Sequence, residues 1–188
     1  MYENLTIIHW PDPRLKKASS NVERFDERLR LLAGRMLELM RQHKGVGLAA
    51  PQVGINVRMF VMNPTGQPQD DCIFVNPLLT EGDGEEEAEE GCLSLPQIYI
   101  SVPRFKSLRM QARDIEGNPI DQLESGYLAR IWQHEIDHLN GIVLADRMGA
   151  IAKLTHRKKL KELQEEYAAT HPELAKPVKK RTSRISRK

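Results

Sequence analysis

The sequence predicts an α+β fold, with a central helix bearing the HExxH motif His134–His138, antiparallel or mixed β-sheets around it, and a further helix towards each end. Three observations predict it. Apolar residues recur at helical spacing in residues 26–43 and again in 125–139, and a third helical stretch covers 150–168. Between the first two lie short runs rich in Val, Ile and Phe that read as strands. Strand-like and helical runs are grouped rather than strictly alternating, which disfavours a doubly wound parallel sheet.

Taken in order, Pro11-Asp12-Pro13 is a rigid turn, because each proline fixes its own φ and restricts its predecessor. In residues 26–43, Leu29, Leu31, Leu32, Met36, Leu37 and Met40 form the apolar stripe of a core-facing helix. Lys44 to Gly54 reads KGVGLAAPQVG, too rich in glycine and small residues for a helix or a regular strand. Val57–Asn63 and Cys72–Asn76 read as strands, and Gly82 to Glu90 as an acidic, solvated loop. Tyr99–Val102 and Lys106–Arg113 are further strands, and Asp114 to Asn118 is the turn into a returning one. Ser125 is placed to N-cap a helix through Leu139, and Asn140-Gly141 to end it. The last helix runs from Ala150 to Ala168, ahead of Pro172 and Pro177.

A chain of 188 residues with 40% hydrophobic content suits one domain, placed at 1–170, and a basic, flexible tail at 171–188. No apolar run reaches the roughly 18 residues of a membrane span. Met1 to Trp10 lacks the basic start and apolar stretch of a secretory signal. Cys72 and Cys92 are accordingly expected to be reduced, in a cytoplasmic compartment, with Cys72 a core residue. The net charge of +2 hides an asymmetry: Lys176, Lys179, Lys180, Arg181, Arg184, Arg187 and Lys188 leave the rest of the chain net negative. Such a tail either faces nucleic acid or is simply solvated.

The strongest local signal is His134-Glu135-Ile136-Asp137-His138 within a predicted helix. Residues four apart share a helical face, so His134 and His138 can offer two imidazoles to one metal ion, with Glu135 beside the water that such an ion carries. The common downstream third ligands are missing. Leu144 stands where a third histidine would follow, and Lys158 where a glutamate would; Glu162, Glu165 and Glu166 lie in a charged, solvent-facing stretch. The third ligand is therefore sought upstream, where Cys92 is the best candidate and an inert core cysteine the alternative.

Three motifs turn this into a resemblance. Gly45-Val46-Gly47-Leu48-Ala49-Ala50-Pro51-Gln52, Glu90-Gly91-Cys92-Leu93-Ser94 and Gln133-His134-Glu135-Ile136-Asp137-His138-Leu139 stand in the order and spacing of the peptide deformylase family. Pro11 to Leu15 and Val102-Pro103-Arg104 are similar too, and the resemblance covers roughly residues 5–168. It implies a hydrolase that releases formate from the N-terminal formylmethionine of nascent polypeptides. It implies Cys92, His134 and His138 as ligands of one divalent ion, Fe2+ natively, with Zn2+, Ni2+ or Co2+ as substitutes. It implies Glu135 as the proton carrier, and the Gln52 side-chain amide and Leu93 N–H as donors to the formyl oxygen.

On the substrate side the resemblance places Gly45, Val46, Gly47, Glu90, Tyr127, Arg130 and Ile131, with Ala88 at the methionine pocket. Family members often carry aliphatic residues where Tyr127 and Arg130 stand; Arg130 is expected to turn its head away and offer its stem. Glu90 and Arg104 are expected to pair near the site, and Asp137 to orient a neighbour. His9, His43, His156 and His171 are outside ligand spacing. The expected partners are N-formylmethionyl nascent peptides and, through the basic last helix and tail, the ribosome, in a bacterial-type cytoplasm. The competing readings are a metallopeptidase using the same motif, and a non-catalytic ribosome-associated protein on the same fold.

Overall fold

A computed structural model describes residues 1–172. Its elements are α1 (Glu27–Gln42), β1 (Gly47–Ala49), β2 (Met59–Met62), β3 (Cys72–Cys92), β4 (Leu95–Arg113), β5 (Pro119–Ser125), α2 (Gly126–Leu139), α3 (Ala150–Thr155) and α4 (Arg157–Thr170), with short 3-10 turns between. The five strands form one antiparallel sheet in chain order. The fold is α+β.

The sheet is covered on both faces near its first strands. In a strand, successive side chains point to opposite faces. Met59 and Val61 of β2 accordingly join α1's Leu32, Met36 and Met40 in one core, while Phe60 and Met62 join α2's Ala129, Trp132 and Ile136 in another. All four β2 residues are buried. The same alternation sends Leu48 and Val75 towards α1, and Ala49 and Phe74 towards α2. A strand buried on both faces has no room for polar residues, which explains the unbroken Met-Phe-Val-Met run. Phe74 lies between Phe60 and Trp132, at ring-centroid separations of 5.0 and 5.9 Å. α1 begins where the Asp26 side chain accepts from the Leu29 N–H. Leu31, at helical spacing but off the stripe, is half exposed.

Beyond this region β3 and β4 continue as a long two-stranded ribbon. A two-residue turn, Leu93-Ser94, joins them between the paired Cys92 and Leu95. Ile98, Ile100 and Val102 face one way from β4 and pack with Leu144, Met148 and Leu163 into a third core. The register shifts between Gly91 and Cys92, an irregularity that re-aims the side chain at the ribbon's end.

Three expectations are corrected here. Gly82–Glu90 is not a loop but part of β3; after a register shift between Thr80 and Asp83, Glu85–Glu90 pair in sequence with Phe105–Ile100. Pairing with β4 satisfies its backbone while most of its acidic side chains stay solvated, so tertiary context overrides local composition. Lys44–Gly54 contains the short strand β1 and a 3-10 turn, Ala50–Val53, because β2 supplies a partner for the backbone of Gly47–Ala49. The last helix is two helices meeting at His156. Ala152 of α3 and Leu160 and Leu163 of α4 meet the third core, while Ile151 and Leu154 stay exposed. The basic tail from 176 onward lies outside the described residues. Among the described residues, no helix is long and apolar enough to cross a membrane.

Because Phe74 couples β2, β3 and α2, Phe74→Ala should lower unfolding free energy by about 3–5 kcal/mol. Urea denaturation of the purified protein measures it, and a loss below about 1 kcal/mol would show that the ring does not join the sheet to α2.

Candidate metal centre

α2 is aimed by its apolar face. Ala129, Trp132, Ile136 and Leu139 are buried against the sheet, and this rotation carries His134 and His138, four residues apart, to the side facing the ribbon's end. From the other direction the turn of the β3–β4 ribbon brings Cys92. Its Sγ lies 3.2 Å from His138 Nε2. One donor atom each from Cys92, His134 and His138 falls within 4.8 Å of the others, and the two imidazole rings are 5.1 Å apart. Cys92 is half-buried against the third core, with its sulfur at the His138 imidazole.

Cys92 and His134 each have a polar neighbour. The Gln52 side chain accepts from the Ala49 N–H at 2.7 Å, which turns its amide nitrogen towards Cys92 Sγ (3.6 Å) and Ser94 Oγ (3.3 Å). A backbone N–H can only donate, so this contact decides which end of the amide faces the thiol. Ser94, within the second motif but given no role there, is buried and holds this amide. His134 Nδ1 is 2.9 Å from Glu90 Oε2, leaving Nε2 for the site. Glu90 accepts from Arg104 through both oxygens at 2.9 Å, and from Arg130 at 2.8 Å. Arg104 also donates to Asp137 at 2.7 Å, and Asp137 accepts from Arg147 as well.

Arg130 is a correction. Its head does not turn to solvent: the residue is buried, and its guanidinium donates to Glu90 Oε1, Val102 O and Glu86 O. Glu90 and Arg130 thus spend their polar groups on each other and on the ribbon, not on a substrate. Val46 and Tyr127 are exposed, and Ile131 is buried in the α2 core.

Glycines shape the approach. Gly47 and Ala49, two apart on β1, share the face towards α2. A Cβ on Gly47 would lie 2.3 Å from Glu135 Oε1, and one on Gly45 2.6 Å from the Leu93 side chain. Gly91 lies under the cross-strand Tyr99 ring, where a Cβ would meet it at 2.7 Å.

The protein groups alone set up a strong local field. Burial pushes the Glu135 carboxyl up to about 7, with the His134 charge pulling part of the way back. Burial works against a charged His134, yet its hydrogen bonds to Cys92 and Glu90 hold it well above the usual imidazole range. Burial and the charge of His134 together hold His138 well below that range. Burial raises the Glu90 carboxyl, but the hydrogen bonds of Arg104 and His134 outweigh it and leave the group well below the ordinary carboxylate range. Two buried polar atoms, Glu135 Oε2 and His138 Nδ1, have no protein partner. One sulfur and two imidazole nitrogens of borderline softness, converging from two elements in a pocket favouring one positive charge, fit a divalent first-row transition ion.

An HExxH helix lying against an antiparallel sheet, with a thiol brought to its two imidazoles, defines a metallohydrolase. The comparisons narrow the class. The Polypeptide deformylase family model matches residues 4–154. A peptide deformylase of Rhodopirellula baltica is 45% identical over 147 residues, 77% of this chain and 73% of its own. One from Thermotoga maritima is 43% identical over 153 residues, covering 81% and 92%. The solved peptide deformylase of Plasmodium falciparum superposes with a TM-score of 0.86 at 38% identity, over 88% of this chain and 99% of that one. The chain belongs to the peptide deformylase family, hydrolases that remove the formyl group from the N-terminal methionine of nascent peptides.

Gly47→Ala should push the Glu135 carboxylate aside. A displacement of about 1 Å at a reacting group costs on the order of 100-fold in rate. Formate release from formyl-Met peptides should fall by that order while bound metal stays at wild-type stoichiometry; unchanged turnover would show that the carboxylate tolerates the shift.

Proposed function

We propose that Cys92 Sγ, His134 Nε2 and His138 Nε2 hold one divalent ion, Fe2+ natively, and that Glu135 carries the proton in formyl-amide hydrolysis. The observation that supports this most directly is the convergence of the Cys92 thiol on the two imidazoles, beside an unpartnered carboxylate oxygen of Glu135. Bound there, the ion supplies Lewis acidity, lowering the pKa of its water from about 15.7 towards 7.

The chain's own groups do the rest. Glu135 accepts a proton from the attacking water and later delivers it to the methionine nitrogen as the C–N bond breaks, so that formate and a free amine leave. Its burial and the absence of a protein partner on Oε2 leave that oxygen free for the exchange. The Gln52 amide and the Leu93 N–H donate to the formyl oxygen as negative charge builds; one such donor is typically worth on the order of 100- to 1000-fold in rate. The Ala49 contact fixes which end of the amide faces the site. Gly45 and Gly47 leave the main chain bare where an extended substrate pairs with it. Val46, Ala88, Tyr127 and Ile131 contribute to the methionine pocket, in a domain that spans residues 1–170.

The setting we propose is a bacterial-type cytoplasm, with substrate met at the ribosome. Lys153, Arg157, Lys158 and Lys161 of α3 and α4 support the second point, as cations drawn to ribosomal RNA.

Glu135→Gln should lower turnover by about 100- to 10,000-fold with metal content unchanged, whereas Cys92→Ala should lose the metal. Anaerobic purification, metal analysis and formate release measure both; a Glu135→Gln protein that turns over normally would remove the proton-carrier role. Ending the chain after Glu173 should weaken pelleting with ribosomes at low salt and leave hydrolysis of short formyl-Met peptides intact. Equal pelleting would remove the tail from the ribosome contact.

A further inference from the structure

Glu90 is fully committed inside the protein. Oε2 meets His134 Nδ1 and Arg104 Nη2, while Oε1 meets Arg104 Nε and Arg130 Nη1, all at 2.8–2.9 Å. Arg104 and Arg130 therefore grip the same carboxylate from two elements, β4 and α2. Arg104 divides its guanidinium between Glu90 and Asp137, which also accepts from Arg147, while Arg130 pairs with Glu90 and with no other carboxylate among the described residues. Arg130 further donates to Glu86 O and Val102 O, one on each strand of the ribbon. It sits one helical turn before His134, so it ties the base of the ligand-bearing turn to the strands that end in Cys92.

From this geometry we infer that Arg130 is a positioning residue for the metal centre: it fixes the Glu90 rotamer, and through it the His134 ring, while pinning α2 to the ribbon that carries Cys92. The inference rests on the ligand assignment above. An imidazole ligand is held in tautomer and orientation by the group that its other nitrogen meets, and loss of such a support typically costs about 10- to 100-fold in metal affinity or activity. Arg130 acts one step further out than Glu90. Without it, Oε1 keeps only Arg104 Nε, and the ligand-bearing turn of α2 loses its hydrogen bonds to Glu86 O and Val102 O. The carboxylate behind the His134 ring and the helix that carries the ring are then both held less tightly.

The test uses the full-length protein loaded with cobalt(II), whose visible spectrum reports ligand geometry and whose thiolate-to-metal band reports the sulfur. Arg130→Met keeps the length and loses the grip. It should release cobalt to a chelator about 10-fold faster or more, and shift the visible bands. Arg130→Lys returns a cation to Glu90 and should recover the spectrum and most of the retention. Release and spectrum unchanged in Arg130→Met, even with a lowered melting temperature, would make the residue purely structural and overturn the inference. If Arg130→Met does not fold, Arg130→Gln gives the same reading, because it keeps a donor for the strand carbonyls and drops the charge on Glu90. Cys92→Ala separates the two levels. It should abolish the thiolate band; if the band persists, the ligand assignment itself fails, whatever Arg130 does.

Discussion

The carboxylate of Glu90 is shared between a strand that ends in a thiol and a helix that carries two imidazoles, and the arrangement of the site depends on that sharing. Neither element could place its ligands alone. Beyond β2 and β5 the ribbon has no third strand beside it among the described residues, and α2 is held to the sheet by its apolar face and by polar contacts of Arg130, Gln133 and Asp137 with β3 and β4. Buried ion pairs add little net stability, because desolvating two charges offsets most of their attraction. What they do add is direction. A carboxylate that accepts from two guanidinium groups and an imidazole has one good orientation, and its partners come from both β4 and α2.

Close approach is the second constraint. β1 and β2 lie between two helices, so every residue on them is either apolar or small. Gly47 takes this furthest, since the Glu135 carboxylate occupies the space where a side chain would stand. The motif glycines are thus spaces reserved for other groups: Glu135 at Gly47, Leu93 at Gly45, the Tyr99 ring at Gly91. A buried carboxylate without a protein partner is costly. It is tolerated beside a donor set for a cation, whose charge favours the ionised acid. The electrostatics of Glu135 and of the two histidines are one problem, set by burial first and by neighbouring charge second.

Much of this could be read from the residues. The His134/His138 spacing follows from helical geometry alone, and the stripe of α1 needed only apolar periodicity; α2 does start after Ser125, but the Ser125 side chain makes no capping hydrogen bond. The resemblance then supplied Cys92 and Gln52, which local pattern left undecided. Three features were not legible. Gly82–Glu90 carries no strand signal of its own, because its pairing partner lies beyond the turn at Leu93-Ser94. Arg130 looks like a surface arginine until β3 and β4 present their carbonyls to it. Ser94 looks like an ordinary turn residue until Gln52 arrives from a segment far away in the chain.

What the amino-acid sequence determined by itself is local: helical faces, caps, the two imidazoles one turn apart, and glycines where side chains cannot be. Each depends on residues within a few positions of one another, so periodicity and propensity suffice. Only the tertiary structure decided that a thiol at the end of a ribbon meets those imidazoles, and that two arginines hold one acid between them. Cys92 to His138 and Arg130 to Glu90 join residues 40 or more positions apart along the chain, and Arg104 to Glu90 joins the two strands across the ribbon's turn. Their geometry follows from how the sheet and α2 pack, which no short stretch of sequence contains.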